Sequence, residues 1–353
     1  MAAQPDLSLL ASISDPVLRA SLERLGNAMD EAPPQADPEL SSPSGANIIQ
    51  FPLFPSETRP VSNDMARSAL FSCVQGNKRR WLKNAVLATV GDVRIEFTGE
   101  QLNQDDCDTL MQLVFMAQHK PLGQFVVVSA YAVLKGLGRK HGGHDHEQLR
   151  QEIERLTKGS VAVRGPDINY VGHLIDESLQ DLRTRRWLYR FNINMRMFFG
   201  LDNYTLIEWE RRKNLKRKDL ARWLQLYWST HSRPFPVSVD FLREKSGSQT
   251  AELREFRRML RRALNDLTDN GDVKEWKIER PGDLVYVDRG RATSKAQVRH
   301  LTAKKNNGIR ATPLAGFEPR LSGIRATLRP LVIYASTVNS STSDHSLLSL
   351  IFF

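Results

Sequence analysis

Five arginines fall within nine residues: Arg254, Arg257, Arg258, Arg261 and Arg262. Planar guanidinium groups grip phosphates and guanine edges through paired hydrogen bonds, so such a cluster suits a nucleic-acid surface. The spacing gives them a shared side if Thr250 to Leu267 forms a helix. Leu253, Phe256, Leu260, Ala263, Leu264 and Leu267 then recur at intervals of three, four and seven on the other side. The apolar stripe predicts burial against a small domain, and the basic face predicts insertion into the major groove of duplex DNA. Ser248 and Thr250 are placed to cap this helix, Glu252 and Glu255 to favour its positive end, and Gly271 to stop it. Thr250 joins the arginines as a candidate DNA contact. The competing reading is a solvated basic face softened by ion pairs to Glu252, Glu255 and Asp266.

Two further stretches carry possible chemistry. Lys216, Arg217 and Lys218 follow Arg211-Arg212-Lys213, before or at the start of a predicted helix, where the helix dipole disfavours cations. Phosphate contact would offset that penalty, and a solvated linker is the alternative. Gln50, Leu53 and Phe54 lie in the apolar patch Ile48–Phe54. They match the short glutamine-plus-aliphatic-aromatic peptides that dock on bacterial sliding clamps. A strap packed against the next domain is the favoured reading of that patch. Catalytic patterns are wanting. Lys135 to Gly143 lacks the Gly-Lys-Ser/Thr ending of a phosphate loop, and no paired carboxylates or nucleophile–base set stands out. His141, His144, Asp145 and His146 sit in and beside a glycine-containing loop, so no metal and no cofactor are expected. His144-Asp145-His146 also lacks the hydrophobic residue that nicking enzymes place between paired histidines. The expectation is a binding protein, not an enzyme.

The arginine helix needs a scaffold, and the flanking sequence supplies one. Leu215 to Thr230 reads as a helix with Leu220, Trp223, Leu224 and Tyr227 on one side. Ser238 caps a short helix over Val239–Lys245, which Gly247 ends. After the arginine helix, Asp272–Ile278 and Leu284–Val287 read as strands around the Pro281-Gly282-Asp283 turn. Helix, short helix, basic helix and hairpin make a helix-turn-helix with a β-wing over residues 201–290. Residues 61–200 repeat the order. Gly91-Asp92 marks a hairpin between Val86–Val90 and Val93–Phe97. Helices follow over Gln104–Gln118, Ala130–Leu137 and Asp145–Lys158, then strands at Val161–Val163, His173–Ser178 and Trp187–Ile193. The class is α+β, with two tandem winged-helix domains from a diverged duplication. The third helix of the first domain mixes Glu147, Glu152 and Glu154 with Arg150, Arg155 and Lys158. That domain is therefore expected to serve dimerisation and auxiliary DNA contact. Residues 1–60 are acidic and expected to be disordered apart from one amphipathic helix, Asp15–Met29.

The 353 residues carry a net charge of +10, which favours a polyanionic partner. Residues 291–353 hold nine basic and two acidic residues without periodicity, and read as a disordered tail. Two cysteines, Cys73 and Cys107, form no disulfide framework. No apolar run approaches a membrane span, so a cytoplasmic protein is expected.

Several segments together resemble the TrfA family of plasmid replication initiators. They are Phe51-Pro-Leu-Phe-Pro55, Asn63-Asp-Met-Ala-Arg-Ser-Ala-Leu-Phe71, Asp92-Val-Arg-Ile-Glu-Phe-Thr-Gly99, Gln104-Asp-Asp-Cys-Asp108, Lys120-Pro-Leu-Gly123 and Tyr131-Ala-Val-Leu-Lys-Gly-Leu-Gly138. The resemblance covers Phe51 to about Val287. It implies a bacterial protein that binds double-stranded iteron repeats at an origin and helps open an adjacent AT-rich region, exposing single-stranded DNA. It further implies recruitment of host helicase, host initiator and sliding clamp, with dimers forming through the first domain and monomers active. A winged-helix repressor of a promoter operator is the alternative. The tail beyond Arg289 has no counterpart in that resemblance.

Overall fold

In the computed structural model, residues 49–290 are described, apart from 76–77, 167–168, 201–202 and 232–233. The expected helix at 15–29 and the tail at 291–353 lie outside them. The described chain begins with a strap, then β1 (Thr58–Ser62) and the single turn α1 (Asn63–Ala66). β2 (Trp81–Leu87) and β3 (Arg94–Glu100) form an antiparallel hairpin. Gly91, at φ +87, lies in its turn, a backbone region that glycine enters without a Cβ clash.

One order of elements then occurs twice. The first copy runs α2 (Gln104–Ala117), β4 (Val126–Ser129), α3 (Ala130–Gly136) and α4 (Gly143–Lys158). An inserted hairpin, β5 (Ser160–Arg164) and β6 (Asn169–His173), adds to β2 and β3 as a four-stranded sheet. The copy closes with β7 (Glu177–Asp181) and β8 (Arg186–Arg190). After β9 (Tyr204–Glu208) and α5 (Trp209–Asn214), the second copy runs α6 (Asp219–Ser229), β10 (Val237–Ser238) and α7 (Val239–Lys245). It continues with α8 (Leu253–Asp269), β11 (Glu275–Glu279) and β12 (Leu284–Asp288). The pairing repeats as well as the order. The sheets are β4-β8-β7 and β10-β12-β11, so the strand before each short helix pairs with the last strand. With helices beside antiparallel sheets, the class is α+β.

Local chemistry explains the elements. Asn103 starts α2 with a capping box: its Oδ1 accepts from the Asp105 and Asp106 amides, and Asp106 accepts from the Asn103 amide at 2.9 Å. Ser238 Oγ accepts from the Phe241 amide at 3.0 Å and starts α7. Leu149, Ile153 and Leu156 of α4 are fully buried.

Four expectations need correction. The boundary of the disordered segment expected over 1–60 lies too late: residues 49–60 pack into the first lobe, in keeping with the strap expected at Ile48–Phe54. Phe51 meets Phe191 and Phe199 edge-on at 5.4 and 5.1 Å, and β1 pairs with β9 from Thr58↔Glu208 to Ser62↔Tyr204. That pairing also moves the lobe boundary from residue 200 to the neighbourhood of α5. The first core includes Tyr204, Leu206, Ile207 and Trp209, and the second begins at Leu215. The helix expected over Leu215–Thr230 starts only at Asp219, after a turn at 215–218 where Arg217 takes φ +65. The strand expected over His173–Ser178 straddles the end of β6 and the start of β7.

Candidate nucleic-acid interface

The α8 helix buries Phe256, Leu260, Ala263, Leu264 and Leu267 in the second core, with Trp223 and Leu224 of α6 and Leu242 of α7. Burying that stripe leaves the opposite side to solvent, where the arginines sort into three positions. Arg254 and Arg261 occupy the middle and are exposed. Arg257 turns to the β11–β12 turn, where it forms a two-point ion pair with Asp283 (Nε–Oδ1 3.2 Å). Arg258 and Arg262 lie on the other flank. Arg258 holds Glu255 at 2.5 and 3.0 Å, and these hydrogen bonds keep the Glu255 carboxyl below its ordinary pKa. Among the described residues, the side chains of Arg254, Arg261 and Arg262 have no hydrogen bond or ion pair. Exposed cations without internal partners are the groups that a polyanion can bind at least cost.

Thr250 does not cap the helix. The N-cap position falls at Glu252, which makes no side-chain cap, and α8 starts at Leu253. Thr250 is half-buried instead, with its hydroxyl 3.5 Å from Met259 Sδ. The physical reason is local: the Thr250 amide donates to Ser248 Oγ at 3.3 Å, which holds the approach outside the helix.

Lys216, Arg217 and Lys218 are exposed in the α5–α6 turn. Lys218 Nζ reaches Asp266 Oδ1 of α8 at 2.7 Å. Their expected companion Arg212 behaves differently. It is buried, with Nε on Asp108 Oδ1, Nη2 on Gln104 Oε1 and Nη1 on the Arg222 carbonyl, each at 2.7 Å. Arg222, equally buried, reaches Asp105 at 2.7 Å, Asp108 at 3.0 Å and also Asp219. Burial opposes the charge of Arg222, but the three carboxylates outweigh it and raise its pKa. Burial likewise pushes Asp105 up, and Arg222 overcomes this and holds it below the usual value. This clasp joins α2 of the first lobe to α5 and α6. The sequence reading missed it. Its one sequence signal was an arginine, Arg222, set within the apolar run Leu220–Tyr227.

Other expected site residues are dispersed. Gln50 is exposed and bridges to Pro121, and Leu53 is 57% exposed. Phe54 is buried against Tyr204 at 5.6 Å, and its amide donates to Gln118 Oε1 at 2.5 Å. A clamp would have to pull Phe54 from the core to use this motif. Glu152, expected among surface charges on α4, is fully buried. Arg139 Nη1 donates to it at 2.9 and 2.8 Å and Thr109 Oγ1 at 2.6 Å. Burial pushes its carboxyl up to about 7 against the pull of Arg139.

The TrfA protein family matches residues 46–289. The plasmid replication initiator protein TrfA of Escherichia coli is 28% identical over 255 residues, 69% of this chain and 65% of that protein. The chain thus spans just under two thirds of the length of this curated relative. A crystal structure of domains 2 and 3 of RctB resembles 65% of this chain and 98% of that one, at 14% identity and a TM-score of 0.45. A second structure of the same RctB domains covers 61% of this chain and 92% of its own, at 14% identity and a TM-score of 0.40. The family match runs from just before the Phe51 strap to the end of the second sheet, well over half the sequence, and so the chain belongs to the TrfA family.

Proposed function

We propose that this chain is a plasmid replication initiator that binds directly repeated duplex sites, iterons, at an origin. The observation that carries the reading is the solvent face of α8, where Arg254, Arg261 and Arg262 have no internal partner among the described residues. In this reading each copy of the repeated elements is a winged helix. The helix α8 is the recognition helix of the second, and the β11–β12 hairpin is its wing. Membership of the TrfA family supports the step from DNA binding to initiation. The remaining expectations follow the family: opening of an adjacent AT-rich region with contact to its single strands, and recruitment of host helicase, host initiator and sliding clamp. A monomer–dimer equilibrium through the first lobe belongs to the same proposal. The protein works by binding, without catalysis, in the bacterial cytoplasm. Among the described residues no helix is long and apolar enough to cross a membrane.

The test uses the DNA beside the gene. The full chain is titrated on that DNA, and a plasmid that lacks its own initiator is supplied with the gene and the region. Protection of direct repeats together with plasmid maintenance is the expected result. Protection of a single promoter palindrome without maintenance would make the protein a repressor.

A further inference from the structure

A solvent-open groove of about 830 Å³ runs between the two lobes. Lys78, just ahead of β2, lies on one side. The α5–α6 turn brings Arg217 and Lys218, and α8 brings Arg258 and Arg262. The walls are tied together. Gln249 Nε2 donates to the Lys78 carbonyl at 3.1 Å and to Gln101 Oε1 at 3.2 Å, and the Cys73 amide donates to the Ser246 carbonyl at 2.9 Å. With the buried Arg212–Arg222 clasp also spanning the lobes, the groove is formed before any ligand arrives.

Its charge is unbalanced. Three acids line it, and each is engaged: Asp219 by Arg222, Glu255 by Arg258, and Asp266 by Lys218. Lys78, Arg217 and Arg262 have no side-chain ion pair or hydrogen bond among the described residues. Like charges on facing walls raise one another's energy unless an anion lies between them. Arg217 also holds φ +65, where glycine or asparagine fits at lower energy.

We propose that this groove seats the sugar-phosphate backbone of one strand of duplex DNA, the strand that flanks the major groove entered by α8. The proposal rests on the reading of α8 as the DNA-binding face. An open trough with cations spread along three walls matches a linear polyanion better than a single small anion. Two consequences follow. Arg258 and Arg262 contact backbone, which leaves Arg254 and Arg261 to the bases, and Lys78 brings the first lobe onto the same duplex.

The test measures binding of the full chain to a mixed-sequence duplex and to the matching single strand over a salt series, with thermal unfolding as a folding control. Lys78→Ala and Arg217→Gly should each lower the slope of log K against log salt on the duplex by about one unit. The pair together should lower it by about two. Arg217→Gly relieves the left-handed backbone, so its unfolding midpoint should not fall, which separates lost binding from lost folding. If the wild-type chain binds no duplex, the reading of α8 and this proposal both fall. If Arg254→Ala weakens duplex binding while Lys78→Ala and Arg217→Gly leave the slope unchanged, the groove proposal alone is overturned. A slope change on the single strand and none on the duplex would also overturn it.

Discussion

The α4 and α8 helices occupy the same place in the two copies, and both are long, amphipathic and charged. They differ in what their cations face. On α4, Arg150 sits between Glu147 and Glu154, three and four residues away, and pairs with both. Lys158 Nζ reaches Glu154 at 3.0 Å, and Arg155 turns inward to Asp106 at 2.9 Å. On α8 the corresponding one-turn pairing occurs once, between Glu255 and Arg258. Arg254, Arg261 and Arg262 have no partner among the described residues. A helix face therefore becomes available to a polyanion through the acids it lacks at one-turn spacing as much as through the arginines it has. One scaffold yields a self-neutralised face in the first copy and a cationic one in the second.

The two copies are joined by the buried Arg212–Arg222 clasp, and the largest effect is expected there. Arg222→Ala leaves Asp105, Asp108 and Asp219 without their shared buried cation. It should cost about 3–5 kcal/mol of stability, read by denaturant unfolding, because an uncompensated buried charge is strongly unfavourable. A cost near zero would mean that water already reaches the clasp. Next in size, Arg254→Ala should cost ~1–3 kcal/mol of duplex affinity and relax preference at one base position. Arg150→Ala in the equivalent helix should leave affinity unchanged. Equal losses from the two variants, measured on repeat and scrambled duplexes, would erase the distinction between the copies.

The contrast can also be sharpened by making α4 more like α8. Glu147→Gln with Glu154→Gln releases Arg150 and Lys158. Affinity for mixed-sequence duplex should rise modestly and become more salt-sensitive, while the unfolding midpoint stays nearly unchanged because exposed pairs contribute little. No gain in affinity would show that the α4 face cannot approach DNA for reasons of shape. The smallest effect concerns acid. Asp105 is held below the usual aspartate value, so its stabilisation is full above that value and fades as pH falls through its folded pKa. Asp105→Asn should flatten the acid limb of a stability-against-pH curve. An unaltered limb would assign acid sensitivity to other carboxylates.

Much of the second copy was legible because its signals are local. Ser238 and the following apolar positions set α7 at Val239–Lys245, and Pro281-Gly282-Asp283 set the turn between β11 and β12. The arginine face followed from helical spacing alone. Signals that depend on distant partners were misread. Arg211-Arg212-Lys213 looks like one basic run, but Arg212 points to Asp108 across the lobe junction and is buried. The strap was legible as apolar, whereas its pairing partner β9 was not, since β1 and β9 lie well over a hundred residues apart.

By itself, then, the sequence determined where α2, α3, α4, α7, α8 and the β11–β12 hairpin lie, which face of α8 is basic, and the repeated order of helices and hairpin. Those properties depend on residues within one or two turns of each other, where spacing and capping chemistry act. Only the tertiary structure decided which charges are free. The acids Asp105, Asp108, Asp266 and Asp283 reach Arg222, Arg212, Lys218 and Arg257 from other elements, and the fold spends those cations internally while leaving Lys78, Arg217, Arg254, Arg261 and Arg262 facing water. A charge's availability is set by its neighbours in space, because Coulomb attraction and desolvation depend on distance and burial and not on sequence separation.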